Sequence, residues 1–126
     1  MPVINNSKVE KFELPGIVHQ TLAGRARGVE NVEVWIERVQ PGAGTPVHRH
    51  DCEEIVVVLR GSGHVIFDGK STDFGPNSTI IAPPGVVHQI INTGDEEMLL
   101  VAAFGRTPVG IFTEDGEPLP VPWQSE

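Results

Sequence analysis

Apolar and polar residues alternate along this chain over short runs, and no long window repeats at helical spacing. Glycine and proline, 14 and 11 of the 126 residues, recur throughout and punctuate those runs. Stretches rich in β-branched and aromatic residues with period two predict strands. The pattern places them at Ile17–Leu22, Asn31–Val39, Glu53–Leu59, His64–Phe67, Thr79–Ala82, His88–Asn92, Met98–Phe104 and Val109–Thr113. Gly61-Ser62-Gly63, Asp68-Gly69 and Thr93-Gly94-Asp95 read as hairpin connections. Short strands at this regular spacing predict an all-β sandwich or barrel. The length suits one domain over residues 1–126, without repeat, low-complexity segment or linker. Its ends, about 1–15 and about 114–126, are expected to be arms that wrap the outside or cross a barrel mouth.

Alternation also sorts the side chains. Val56 and Val58 fall on the face of Glu54, and Ile90 on the face of His88. Over residues 31–39, Val32, Val34 and Ile36 share one face, and Glu33, Trp35 and Glu37 the other. Parity alone leaves Trp35 open, as a half-exposed sheet residue or as part of a cavity wall.

The formal charge is −8 with nine Lys and Arg, and no basic run stands out. That argues against nucleic acid and anionic membrane surfaces as partners. Apolar residues make up 39%, enough for a core, yet no run approaches the roughly 20 residues a membrane-spanning helix needs. The opening MPVINNSKVEKFELPG lacks the charged-then-apolar layout of a secretory leader, so the expected location is the cytoplasm. Two triplets beginning at Asn5 and Asn77 then count as chance matches to the glycosylation pattern. The single cysteine, Cys52, excludes an internal disulfide, and it reads as a small packing residue rather than a redox-sensitive thiol.

The most specific chemistry lies in residues 42–61, GAGTPVHRHDCEEIVVVLRG. His48, His50 and Glu54 stand at even offsets, which on a strand share one face. His88 lies in a second strand-like segment, APPGVVHQIIN. Three imidazoles and one carboxylate suit a borderline divalent ion.

The spacing is more demanding than a chance His-x-His. Gly42, five residues, His48-x-His50, three residues, Glu54, six residues and Gly61 reproduce the first motif of the cupin superfamily in full. Pro83-x-Gly85, two residues, His88, three residues and Asn92 match the second. One position departs: Asn77 stands where that motif opens with glycine, and Asn tolerates a left-handed turn better than most residues. The chain thus resembles the cupins, which implies a double-stranded β-helix, or jelly-roll, barrel.

Residues 19–61, and TPVHRHDCEE within them, are similar to the auxin-binding proteins of plants. So are PPGVVHQIIN, GRTPVGIF and the distal PVPW. The resemblance implies one divalent metal, zinc before Fe, Mn or Ni, on His48, His50, Glu54 and His88. It further implies a ligand pocket of Leu14, Ile17, Trp35, Pro46, Ile111 and Trp123, which moves Trp35 to the cavity wall. A bound acid would place its carboxylate at the metal and its ring among those side chains. The plant proteins are secretory, disulfide-bonded and end in a retention signal; this chain shows none of these, and Val121 stands where they carry a bulky aromatic residue. It reads as a microbial, cytoplasmic relative whose ligand need not be auxin.

A divalent ion held by three neutral imidazoles and one carboxylate keeps a net charge of about +1, which attracts an anion in apolar surroundings. The first expectation is therefore a protein that binds a small, aromatic carboxylate. A cupin enzyme such as a dioxygenase is the alternative, and a storage or structural role the third. No catalytic residue is assigned. His19 and His64, the imidazoles outside the motifs, read as surface residues, and Arg60 and Arg106 do not suggest a phosphate clamp. A homodimer is expected, since exposed sheet edges favour pairing.

Overall fold

The computed structural model describes residues 2–124. Eleven strands and two single-turn 3-10 helices, Asn6–Lys8 and Arg25–Arg27, make up its regular structure. A six-stranded antiparallel sheet runs in the order β1 (Phe12–Leu14), β2 (Ile17–Ala23), β3 (Glu33–Val39), β10 (Met98–Phe104), β5 (Glu54–Arg60) and β8 (Ser78–Ala82). A three-stranded sheet orders β7 (Lys70–Phe74), β6 (Gly63–Phe67) and β9 (His88–Asn92), and a short pair joins β11 (Ile111–Phe112) to β4 (Arg49–His50). Isolated bridges from Gly44 to Ile91 and from His48 to His88 tie the segment before β4 to β9.

Apolar inward rows explain why these sheets face one another. Val56 and Val58 are 1% and 0% exposed, and Ile90 is 4% exposed, as their parity with Glu54 and His88 predicts. Register stacks these rows across the large sheet: Trp35, Ala102, Val56 and Ile80 lie side by side, followed by Glu37, Leu100 and Val58. Such cross-strand neighbours are the units of sheet packing.

On β3 the buried face is the polar-looking one, Glu33, Trp35, Glu37 and Val39, which turns Trp35 inward as the resemblance implies, while Val32 is half exposed. Trp35 and Thr107 donate to the two oxygens of Glu33, and His19 holds one oxygen of Glu37, so tertiary contacts override the hydropathy of the strand. Phe12–Leu14, expected in an arm, is the edge strand of the large sheet. Lys70–Phe74 was invisible because KSTDF is mostly exposed and has no apolar face. The run predicted at Val109–Thr113 is a strand only at Ile111–Phe112.

The turns divide similarly. Asp68 and Gly69, both at positive φ, close a two-residue hairpin between Phe67 and Lys70. Gly61–Gly63 and Thr93–Asp95 are not hairpins, because each passes the chain from one sheet to the other. Asn77 takes φ +61, the left-handed conformation its motif position needs.

Candidate metal centre and cavity

Two segments far apart in sequence, one running from His48 to Glu54 and one opening at His88, deliver four donor side chains to one point. His50 lies on β4, Glu54 opens β5 and His88 opens β9. His48 faces His88 across a bridge in which each main-chain N–H donates to the other's carbonyl. One ligand atom from each of the four residues lies within 4.8 Å of the others, and all four residues are buried.

The outer hydrogen bonds set the chemistry of these donors. Nδ1–H of His48 donates to the Pro46 carbonyl at 2.5 Å, that of His50 to Gly110 at 3.0 Å, and that of His88 to Val86 at 2.9 Å. A carbonyl only accepts, so each Nδ1 carries the proton and each Nε2 keeps its lone pair for the centre. Nε2 of His88 and of His50 lie 2.9 and 3.4 Å from Glu54 Oε1. None of these three buried atoms has an aligned hydrogen bond among the described residues. Buried polar atoms that converge without pairing are what a metal shell presents. The donor set fits a divalent ion.

Electrostatics agree with that arrangement. Burial lowers the pKa of His48, and the adjacent His88 and His50 lower it further, to about 4. Burial raises that of Glu54, but the neighbouring His50 and His88 outweigh it and hold the carboxyl down to about 2. Burial lowers His88 too, yet the Glu54 carboxylate wins and raises it above 6.5. At neutral pH Glu54 is thus ionised and His48 uncharged, and His88 is more inclined than His48 to take up a second proton.

The centre opens onto a narrow cavity, with about 40 Å³ open to the centre of a water-sized sphere. The structure places Leu14, Ile17, Trp35, Pro46, Ile111 and Trp123 on its wall, with all four donors. Val56, Ile90, Leu100, Leu119 and Val121 add apolar surface. The segment after β11 folds back, with Leu119 N–H bonded to the Ile111 carbonyl, and brings Trp123 inside. Cys52 is buried, and burial, then Asp51, raises its thiol to about 11, which suits packing rather than redox chemistry.

Sequence reasoning missed a second polar group in this cavity. His19, expected at the surface, is fully buried and pairs with Glu37, which lines the cavity wall. Parity did put Glu37 on the face of Trp35; the missing signal was the β2–β3 register that sets His19 opposite it. His64 remains partly exposed beside Asp73, as expected. Arg38 and Arg60 pair with Glu97, and Arg106 pairs with Asp51; none of the three lines the cavity.

Comparison with known proteins follows the same lines. The profile of the auxin binding protein family matches residues 2–122. Auxin-binding protein 1 of Arabidopsis thaliana is 38% identical over 125 residues, covering 89% of this chain and 63% of that protein's length. Auxin-binding protein T85 of Nicotiana tabacum is 36% identical over 135 residues, covering 95% and 72%. Gentisate 1,2 dioxygenase 1 of Aquipseudomonas alcaligenes is 26% identical over 92 residues, covering 72% of this chain and 26% of the enzyme. Among solved structures, a cupin-superfamily sugar phosphate isomerase from Silicibacter pomeroyi superposes with a TM-score of 0.74 at 22% identity, covering 94% of this chain and 97% of the other. The fold is that of the cupins, and the chain belongs to the auxin-binding protein family.

Proposed function

We propose that this protein binds a small aromatic carboxylate inside the barrel-like cavity, through a divalent metal held by His48, His50, Glu54 and His88. One observation carries the reading: the four converging donors, three of them with an unpaired buried atom, and an apolar wall that includes Trp35 and Trp123 share a single cavity. The ion, zinc in this proposal, supplies a centre of net charge about +1 that compensates the ligand's carboxylate. The apolar side chains take up the ring. Burying a ring is worth a few kcal/mol at about 25 cal/mol per Å² before association costs, so micromolar to millimolar affinity is expected.

Titration calorimetry with benzoate and indole-3-acetate, on zinc-loaded and chelator-treated protein, tests this. Binding should require the metal and should weaken strongly when the acid is replaced by its primary amide. Equal binding of acid and amide, or undiminished binding by the stripped protein, would overturn it. Elemental analysis of protein purified without added metal identifies the ion. A homodimer belongs to the same proposal, supported by the exposed Ile55, Leu59 and Ile81 on the outer face of β5 and β8; sedimentation measures it.

A metal-dependent dioxygenase is the second reading, favoured by the sequence relationship to a gentisate dioxygenase. Bound iron or manganese together with oxygen uptake in the presence of an aromatic acid would place it first.

A further inference from the structure

Glu37 is the one carboxylate on the cavity wall besides Glu54, among the described residues. It points inward because β3 buries its odd-numbered side chains, and its Oε2 is held by His19 Nδ1 at 2.8 Å. His19 is itself fixed on every side. Its Nε2 bonds to Thr21 Oγ1 at 2.7 Å, its ring stacks on Trp123 at 3.6 Å, and the Trp35 ring meets its edge at 4.8 Å. Oε1 of Glu37 takes no hydrogen bond from the described residues. Register sets the row of Trp35, Ala102 and Val56 between that of Glu54 and Phe104 and that of Glu37 and Leu100, and the Trp35 ring lies 4.8 Å from the His19 ring and 6.1 Å from the His50 ring. The cavity therefore has an apolar middle and a polar group at two separate places. An acceptor-only oxygen in such surroundings needs a donor partner and repels a second anion.

We propose that Glu37 is the specificity-determining residue for the part of the ligand remote from its carboxylate, accepting a hydrogen bond from an N–H or O–H on the ring. The ligand class narrows to aromatic acids that carry one such donor, and dicarboxylates are excluded. This rests on the carboxylate-binding reading above. His19 acts as a positioning residue, since it occupies one carboxylate oxygen and fixes where the other faces.

The test uses matched acids on the intact, zinc-loaded protein. Indole-3-acetate and benzofuran-3-acetate differ in a ring N–H against a ring oxygen; the 3- and 4-hydroxybenzoates are each compared with benzoate, and terephthalate serves as the dicarboxylate. Calorimetry should show the donor-bearing member of at least one pair bound about tenfold tighter or more, and terephthalate bound more weakly than benzoate. In Glu37→Gln, which keeps the side chain's shape and an oxygen for His19 but removes the charge that repels an anion, the preference should collapse while benzoate binds no more weakly and zinc content holds. A group that only braced His19 would leave the preference unchanged. If that variant folds poorly, Glu37→Asp withdraws the oxygen by one methylene and should show the same loss. Benzoate binding without any donor preference in the wild-type protein overturns this inference alone, as does a preference that survives both substitutions. Failure of every acid, benzoate included, to bind overturns the carboxylate reading and this inference with it.

Discussion

His48 and His88 stand directly opposite each other, and each main-chain N–H donates to the other's carbonyl, at 3.0 and 2.8 Å. Two motifs forty residues apart are thereby locked in register at their functional positions. The imidazole rings follow, with centroids 4.4 Å apart. Backbone pairing fixes where the donors sit before any ion is held, and that has consequences for binding and stability.

Removing one donor should cost both the metal and the stability the metal confers. His50→Ala and His88→Ala are each expected to lose stoichiometric metal, measured by elemental analysis after dialysis. A ligand at about a hundred times its dissociation constant adds about 2.7 kcal/mol to the native state. For a chain of this length that is a fall of roughly 10 °C in Tm. Normal metal content in both variants would refute the assignment of these residues.

The effect of pH on stability should differ between the metal-free and metal-loaded protein. His88 has its pKa raised in the fold by Glu54, against burial, so its contribution is full below the unfolded value of 6.5 and is lost as pH rises through the folded one. His48, lowered to about 4 by burial and its histidine neighbours, makes its gain between about 4 and 6.5 and adds nothing further above that range. Glu54, held at about 2, contributes above 4.5 and loses that only as pH falls toward 2. Metal, by contrast, competes with the His88 proton and binds more tightly as pH rises. The Tm difference between loaded and chelated protein should therefore widen from pH 6 to pH 8. A flat or narrowing difference in thermal melts would contradict a shell that includes His88.

Cys52 should be nearly inert in the native state. Burial, with Asp51 beside it, raises its thiol from 9.0 to about 11. At pH 8 the thiolate fraction falls about a hundredfold, and the 8% exposure restricts access further. An aromatic disulfide reagent should label it at least about a hundredfold more slowly in native than in denaturant-unfolded protein. Equal labelling rates would show that the thiol is open to solvent.

Two glycines should respond differently to alanine. At Gly63 an added Cβ would overlap the carbonyl oxygen of Ile91 and approach Met98 Cε to 2.9 Å. Because the obstacle is backbone in the β6–β9 pair, Gly63→Ala should cost more than about 2 kcal/mol by denaturant unfolding. Gly69, at φ +83 with open space around it, pays only for its left-handed backbone, about 1 kcal/mol. A reversed order would show that β6 and β9 can part without penalty.

The sequence by itself determined the class of fold and the membership of the donor set. Period-two alternation marked eight strand runs, and the spacing from Gly42 to Asn92 named His48, His50, Glu54 and His88, which the structure brings within 4.8 Å. These were legible because side-chain direction on a strand and ligand spacing in a motif are local properties. The resemblance alone put Leu14, Ile17 and Trp123 together, and the structure sets them on the cavity wall; nothing local says that these segments turn inward. Tertiary structure decided the rest. Only pairing with β6 makes a strand of KSTDF, whose own side chains carry no apolar signal. The β2–β3 register alone sets His19 against Glu37 and turns a polar-looking face of β3 into cavity wall. A buried carboxylate becomes tolerable when a partner on another strand satisfies it, and alternation, which reads one strand at a time, holds no record of that partner.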